Sequence, residues 1–169
     1  MSPANQRDHS HLPEQSEIER CMQEAIIEAQ NGMEEGGVPI GSVLVRNGKI
    51  IGRGHNRRIQ FGDPTAHGEI DCLRAAGRQK TYKDTVIYST LMPCAMCAGS
   101  VYWTGVGHVV HGMSEKALKD LIGPDPENLT MDLPCSTVFA AGQRVVTVEG
   151  PLLAEESARV REGFWTGDA

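Results

Sequence analysis

Hydrophobic residues recur along this chain with two different spacings. Between Ser16 and Glu35 they return every three or four positions, which predicts a helix with one buried face. The paired glycines and the proline of "EEGGVP" end that helix. The following segment, "IGSVLVRNGKIIGRGHN", contains two apolar runs on either side of Asn47-Gly48. An Asn-Gly pair in that position predicts a β-hairpin.

The rest of the chain alternates short apolar runs with amphipathic segments. Further helices are predicted to begin at Thr65 or Ala66, at Pro93, at Ser114 and at Pro151. Further strands are predicted at "DTVIYST", "GHVVHG" and "QRVVTVEG", with a loop at "IGPDPENLTMDLPCS". This alternation predicts an α/β sandwich, in which helices cover both faces of one sheet.

Length and composition predict one globular domain. The chain has 169 residues, of which 40% are hydrophobic and 22% are charged. Residues 1–15 are polar and lack the apolar core of a signal peptide, so they are predicted to be a disordered leader to a domain over residues 16–169. No apolar run approaches the roughly 20 residues that span a bilayer. We therefore expect a cytoplasmic protein without a membrane partner.

Net charge and cysteine content bear on the partners of the protein and on the role of its thiols. The net charge of −6 argues against nucleic acid as the main partner, because affinity for phosphate backbones comes from Lys and Arg contacts. The five cysteines, an odd number, do not suggest a disulfide framework. Cys21 and Cys72 lie within helical patterns and are predicted to be buried as small apolar residues.

Two short motifs carry the candidate chemistry. His67 and Glu69 form H-x-E near the start of one predicted helix, and Pro93, Cys94 and Cys97 form P-C-x-x-C at the start of another. Each motif alone is compatible with a structural role. Together, and in this order, they match the H-x-E … P-C-x-x-C pattern of zinc-dependent nucleobase deaminases.

The spacing suits a catalytic zinc ion. Cys94 and Cys97, three residues apart on a helix, place both sulfurs within one turn, and the helix N-terminus favours thiolates. With a neutral His67 they supply three of four tetrahedral positions and leave the fourth for water. A structural zinc site would need a fourth protein ligand. Cys72 lies about 140° around its helix from His67, which disfavours it, whereas Cys135, in a predicted loop, stays open as a candidate.

Glu69 is predicted to be a proton shuttle and not a ligand. Hydrolytic deamination of an aromatic amidine requires attack of hydroxide on a ring carbon and protonation of both the ring nitrogen and the leaving amine. One carboxylate within reach of all three positions can carry these protons. Zinc would stabilise the negative oxygen that forms.

The chain resembles the cytidine deaminase-like superfamily and, within it, fungal-type cytosine deaminase. The matching stretches are "EEGGVPIG", "GRGHN", "HGEI", "YKDT" and "PCAMCAG". "DPTAHGE" and "GSVYW" are also similar to bacterial guanine deaminase, and "LMPCAMCAG" is similar to the tRNA adenosine deaminases. The resemblance implies a three-layer α/β/α sandwich with a central mixed sheet. It also implies a homodimer, with the helix after Cys97 near its interface.

The family pattern also implies the roles of individual residues. It makes His67, Cys94 and Cys97 the zinc ligands and Glu69 the shuttle. Six further positions are implied as substrate contacts: the side chain of Asn56, backbone groups of Gly68 and Met92, pocket walls at Ile40 and Trp165, and the Asp168 carboxylate. The chain departs from the pattern at Ala117, where a phenylalanine would cover the base, and over residues 128–143, which have no clear counterpart.

Three functions remain open on the sequence. The first is deamination of free cytosine, or of a close analogue such as isocytosine, to uracil and ammonia. The second is a guanine deaminase of the same fold. The third is a tRNA adenosine deaminase or another protein that acts on nucleic acid, which the net charge of −6 opposes. Cytosine and isocytosine both present an amino-pyrimidine edge, so the sequence does not rank them.

Overall fold

A computed structural model describes residues 14–126 and 129–164 of the chain. Five strands form in this part: β1 Gly41–Arg46, β2 Lys49–His55, β3 Thr85–Leu91, β4 His108–Met113 and β5 Thr147–Glu149. The helices are α1 Gln15–Glu34, α2 Arg58–Phe61, α3 Gly68–Ala76, α4 Ala95–Thr104, α5 Glu115–Ile122, α6 Cys135–Ala140 and α7 Ala154–Arg159. No helix of the described residues is long and apolar enough to cross a membrane.

The five strands form one mixed sheet in the order β2-β1-β3-β4-β5. β1 is antiparallel to both β2 and β3, whereas β3, β4 and β5 are parallel to one another. β2 and β3 therefore run in the same direction on either side of β1. As a result, the carboxyl ends of β2, β3 and β4 meet at one edge of the sheet, where open α/β sheets bind their ligands.

Helices cover both faces of the sheet, as predicted. One face packs against α1 and α7 and buries a cluster that includes Met22, Ile26, Val43, Tyr88 and Val110. The other face packs against α3, α4 and α6 and buries a cluster that includes Leu44, Cys72, Ile87, Val101 and Phe139. Alternate strand residues enter opposite layers, because successive side chains of a strand point to opposite faces. The structure is the expected three-layer α/β/α sandwich.

The predicted hairpin forms between β1 and β2. Asn47 and Gly48 connect the strands with φ angles of 48° and 71°, the left-handed pair that a tight hairpin turn requires. On β2, Gly54 lets α3 approach the sheet closely. A Cβ at this position would lie 2.2 Å from the backbone nitrogen of Cys72, so a larger residue would force α3 and its N-terminus away from the sheet.

Two predicted helix starts are wrong in the same way. The helix expected from Thr65 or Ala66 begins at Gly68, with His67 at the N-cap. The helix expected from Pro93 begins at Ala95, with Cys94 at the N-cap. Both caps have extended backbone conformations, with ψ of 158° and 173°. The two motif residues therefore occupy the turn into each helix instead of the helix itself.

The C-terminal third departs further from the predicted elements. Cys135, expected in a loop, is the first residue of α6 and is fully buried. The strand expected over "QRVVTVEG" is limited to Thr147–Glu149, and the final helix is limited to Ala154–Arg159. The predicted leader lies outside the described residues except for its last two positions, and α1 begins at Gln15, one residue before the predicted start.

Candidate metal and nucleobase site

The side chains of His67, Cys94 and Cys97 converge where the N-termini of α3 and α4 meet. The sulfurs of Cys94 and Cys97 each lie 3.6 Å from the Nδ1 atom of His67. The three candidate ligand atoms all lie within 4.8 Å of one another. Tetrahedral zinc with Zn–S of about 2.3 Å and Zn–N of about 2.05 Å separates sulfur from nitrogen by about 3.6 Å. The geometry of the three side chains therefore fits zinc.

No fourth protein ligand joins this group among the described residues. Cys72 is buried in the core and desolvation raises the pKa of its thiol, as befits a small apolar residue. Cys135, which the sequence left open, is buried in α6, and burial raises its pKa to about 11. Neither belongs to the metal-competent cluster, so the site has the three-ligand composition of a catalytic zinc centre.

The protein's own hydrogen bonds favour a thiolate at Cys94. Interactions with the Cys97 thiol and with His67 lower the pKa of Cys94 to about 4, against the opposing effect of burial. The same interaction with Cys94, together with burial, raises the pKa of Cys97. A thiolate already present at one ligand reduces the proton release that metal binding requires.

Glu69 lies one residue beyond the start of α3 and is almost completely buried, with 3% of its surface exposed. Desolvation raises the pKa of its carboxyl. The Ser89 hydroxyl donates a 2.8 Å hydrogen bond to Glu69 Oε1, and the Ser42 hydroxyl donates to Ser89 Oγ at 3.0 Å. Ser42 and Ser89 are direct partners across β1 and β3. The sheet thus orients the carboxylate through a buried pair of serines.

A single cavity joins this carboxylate to the metal-competent group. It encloses about 610 Å³ of space, including the open solvent at its mouth. Its polar wall includes Asn56, His67, Glu69, Cys94 and Glu115. Its apolar wall includes Ile40, Leu91, Met92, Leu118 and Ile122. Few polar groups in an otherwise apolar cleft are typical of a small-molecule site.

Three of the predicted substrate contacts line this cavity: Ile40, Asn56 and Met92. Asn56 is buried at the end of β2, and its Oδ1 accepts a 3.1 Å hydrogen bond from the Arg58 amide. Ile40 and Met92 line the wall, although the Met92 N–H already donates to the Met113 carbonyl at 2.7 Å. Gly68 lies between the cavity residues His67 and Glu69.

The remaining sequence expectations lie elsewhere. Trp165 and Asp168 are outside the described residues. Ala117 is exposed on α5, and its place in the cavity wall is taken by neighbours on the same helix, Glu115 and Leu118. The wall also includes Leu129 and Thr130, so the segment without a family counterpart does reach the cavity.

Sequence reasoning missed Glu115, the serine pair and Arg161. Glu115 is 8% exposed and Arg161 is 1% exposed. An acidic residue in the first turn of a helix is common, so Glu115 carried no signal of a functional role. Ser42 and Ser89 did carry a weak one, since each is a small polar residue in a strand that is almost entirely buried.

A network of ionisable side chains adjoins Asn56, in which His55 and Glu28 are buried and Glu35 is exposed. The ring nitrogens of His55 lie 3.3 Å from Glu28 Oε2 and 3.0 Å from Glu35 Oε2. The hydrogen bond to Glu28, followed by that to Glu35, raises the pKa of His55. The His55 backbone N–H also donates to Asp71 on α3 at 3.1 Å. His55 therefore links α1 and α3 to the end of the strand that carries Asn56.

Comparison with known proteins places this geometry in a family. Residues 15–113 match the family model described as the cytidine and deoxycytidylate deaminase zinc-binding region. A cytosine deaminase of Candida albicans is 45% identical over 94 residues, which cover 54% of this chain and 63% of that relative. The chain therefore spans less than two thirds of the length of this curated relative.

Solved structures agree with the fold. A tRNA:A34 deaminase, studied for A-to-I editing at the wobble position of transfer RNA, superimposes with a TM-score of 0.67 at 29% identity. The match covers 83% of this chain and 98% of that chain. A guanine deaminase of Nitrosomonas europaea superimposes with a TM-score of 0.74 at 22% identity, over 88% of this chain and 84% of that chain. At that identity the likeness shows the fold alone.

Proposed function

The chain belongs to the cytidine and deoxycytidylate deaminase family of zinc-binding domains, and on that premise we propose that it deaminates a free nucleobase by hydrolysis. Cytosine, or a close analogue such as isocytosine, is the proposed substrate, with uracil and ammonia as products. The observation that carries the proposal is one cavity lined both by the buried Glu69 carboxylate and by His67 and Cys94 of the metal-competent His-Cys-Cys group.

The roles of the protein groups follow from this arrangement. A zinc ion held by His67, Cys94 and Cys97 would lower the pKa of water and stabilise negative charge on oxygen. Glu69 takes the two protons of the attacking water one after the other, and it delivers one to the ring nitrogen and the other to the leaving amine of the base. Burial raises the pKa of Glu69, which makes its protonated form easier to populate and so favours its role as an acid. Asn56 and the backbone beside Met92 would orient the base.

Two observations favour a free pyrimidine over a nucleic acid. The relative of Candida albicans with 45% identity is a cytosine deaminase. Among the described residues, the cavity wall contains two carboxylates, those of Glu69 and Glu115, and a single guanidinium, that of Arg58. A nucleic-acid path needs Lys and Arg to neutralise phosphates, and the net charge of −6 does not supply an excess of them.

A homodimer and a cytoplasmic location belong to the same proposal. Trp103 is 85% exposed and Met96 is 37% exposed on α4. They are seven positions apart, about two helical turns, so they lie on one face. An exposed tryptophan beside a second apolar residue is the kind of surface that a second copy of the chain would bury in a dimer. All five cysteines are free thiols, which suits a reducing compartment.

Ammonia release from a panel of bases tests the proposed activity. We expect zinc-loaded protein to act on cytosine or isocytosine ahead of guanine, cytidine and tRNA. Glu69→Gln should retain about one zinc per chain and lose on the order of 10² to 10⁴-fold in turnover. Removal of zinc with a chelator should abolish turnover, and added zinc should restore it. Preferred action on tRNA, or a Glu69→Gln variant as active as the native protein, would refute the proposal.

A further inference from the structure

A second carboxylate, that of Glu115, lines the cavity that Glu69 also lines. Glu115 is the first residue of α5, directly after the carboxyl end of β4. The Ser114 hydroxyl caps this helix by accepting a 3.1 Å hydrogen bond from the Ala117 amide, which holds the first turn in place. Glu115 is 8% exposed and lines the same cavity as Glu69 and Asn56.

The two oxygens of Glu115 have different surroundings. The backbone N–H of Met131 donates a hydrogen bond to the carboxylate. Oε2 is buried and has no hydrogen-bond partner among residues 14–126 and 129–164. A buried acceptor without a donor is unfavourable, and such groups are normally satisfied. A ligand N–H in the cavity would satisfy it.

The groups around Glu115 act on its ionised form in opposite directions. Burial raises the pKa of Glu115 to about 7. The Met131 amide and the Arg161 guanidinium oppose that rise, whereas the negative charges of Cys94 and Glu69 add to it. An N–H donor from a bound ligand would favour the ionised form. Arg161 is almost completely buried and contacts the Met113 sulfur at 3.1 Å and the Thr90 hydroxyl at 3.2 Å, both neutral groups. Its positive charge is therefore available to favour a nearby carboxylate.

Free nucleobases and nucleosides differ in the donor that this oxygen needs. A free pyrimidine or purine carries a ring N–H at the position where a nucleoside carries its sugar. A carboxylate can only accept hydrogen bonds, so it binds that N–H and leaves a glycosylated or methylated nitrogen without a partner. Sites built around a hydrogen bond reject analogues that lack it by large factors.

We propose that Glu115 Oε2 accepts a hydrogen bond from the ring N–H of the base and thereby selects a free base over its nucleoside. The inference rests on the proposed deamination of a free base, and it adds the residue that excludes the nucleoside. It also accounts for a buried carboxylate whose second oxygen has no partner in the described protein.

N-methylated bases test this contact directly. Cytosine and 1-methylcytosine, or guanine and 9-methylguanine if guanine is the better substrate, differ only at the ring nitrogen concerned. Binding is measured by calorimetry with zinc-loaded Glu69→Gln protein, so that affinity does not depend on turnover. We expect a preference of about 10²-fold or more for the unmethylated base. With Glu115 replaced, this preference should fall to within about 5-fold.

Two replacements of Glu115 keep the test decisive. Glu115→Met fills a similar volume without an acceptor. In Glu115→Gln the amide oxygen is expected to accept the hydrogen bond from the Met131 N–H. The NH₂ group then faces the base and cannot accept from its ring N–H, so the preference for the unmethylated base should be lost here too. Asp120→Ala removes an exposed carboxylate from the same helix, where it pairs with Lys116 at its surface, and should change nothing.

Each outcome has one interpretation. An unchanged preference in folded Glu115 variants overturns the inference, as does an equal loss of affinity for both ligands, which would make Glu115 a wall of the cavity and no more. If the native protein neither binds nor deaminates a free base, the proposed function is wrong and the inference is overturned with it. Normal deamination with an unchanged preference leaves the proposed function intact and removes only the role of Glu115.

Discussion

Ser89→Ala should lower activity without removing the metal-competent group. The substitution deletes one oxygen in the buried interior and leaves Glu69 Oε1 without the donor that now lies at 2.8 Å. Ser89 is fully buried on β3, and alanine fits the space without a steric conflict. The remaining contacts of His67, Cys94 and Cys97 do not involve this hydroxyl.

The magnitude follows from the type of hydrogen bond that is lost. A hydrogen bond to a charged group contributes about 1.5–3 kcal/mol. Each factor of ten in rate corresponds to about 1.36 kcal/mol. If the bond holds Glu69 in the orientation that proton transfer needs, kcat should fall on the order of 10 to 10²-fold. Ser42→Ala leaves the bond to Glu69 intact and removes only a neutral one of about 0.5–1.5 kcal/mol, so its effect should be several-fold smaller.

Steady-state ammonia release and zinc content measured on the same preparations provide the assay. Ser157→Ala is the matched control, because Ser157 is equally buried but lies on α7, on the other side of the sheet. In a Glu69→Gln background, Ser89→Ala should add almost nothing, since the carboxylate it orients is gone. The reasoning is refuted if Ser89→Ala retains full kcat with normal zinc, or if its effect is undiminished in the Glu69→Gln background.

Three further predictions concern other parts of the molecule. His55→Gln should lower the free energy of unfolding most below pH 6.5, the ordinary His pKa, and less as the pH rises. The neighbouring carboxylates raise the pKa of His55, and the stabilisation that they give is lost when the ring deprotonates. Urea unfolding from pH 6 to 9 measures this trend, and its absence would show that His55 is neutral. Trp103→Ser should convert a dimer to a monomer in light scattering at micromolar concentration, and an unchanged mass would exclude the α4 face as the interface. Asp168→Ala should lower kcat/KM by up to roughly 10⁴-fold with zinc content unchanged, because the Asp168 carboxylate is an implied substrate contact. Activity within a few-fold of native would show that this carboxylate does not bind the substrate.

Local patterns were sufficient for most of the elements that surround the site. The period of the apolar residues predicted α1. Asn47-Gly48 predicted the hairpin, because the positive φ angles of that turn depend only on the types of two adjacent residues. The motif spacing also selected the three side chains that converge in the structure. Cys94 and Cys97 are neighbours in sequence, and the H-x-E … P-C-x-x-C pattern supplied His67.

Predictions that depended on helix boundaries were less accurate. Pro93 has the residue type of a first helical position, yet the helix begins two residues later with Cys94 at its cap. The extended cap conformation turns Cys94 toward His67 on the neighbouring helix end. The preference of Pro93 for a first helical position contains no information about His67 on the neighbouring helix. The position of the N-cap is therefore decided only in the folded structure.

The sequence by itself determined the chemistry of the metal group, because the identity and spacing of ligands are local and the ligand types limit the metal. The tertiary structure alone decided what surrounds it. Ser89 reaches Glu69 and Glu115 reaches the cavity because β3 and β4 run parallel and end at the same edge. Arg161 comes near them because the chain beyond α7 returns over that edge and places its guanidinium against Met113 and Thr90. These residues are 20 to 92 positions from Glu69 in the chain, and no periodicity or short motif relates residues over such distances, since only the packing of strands and helices brings them together.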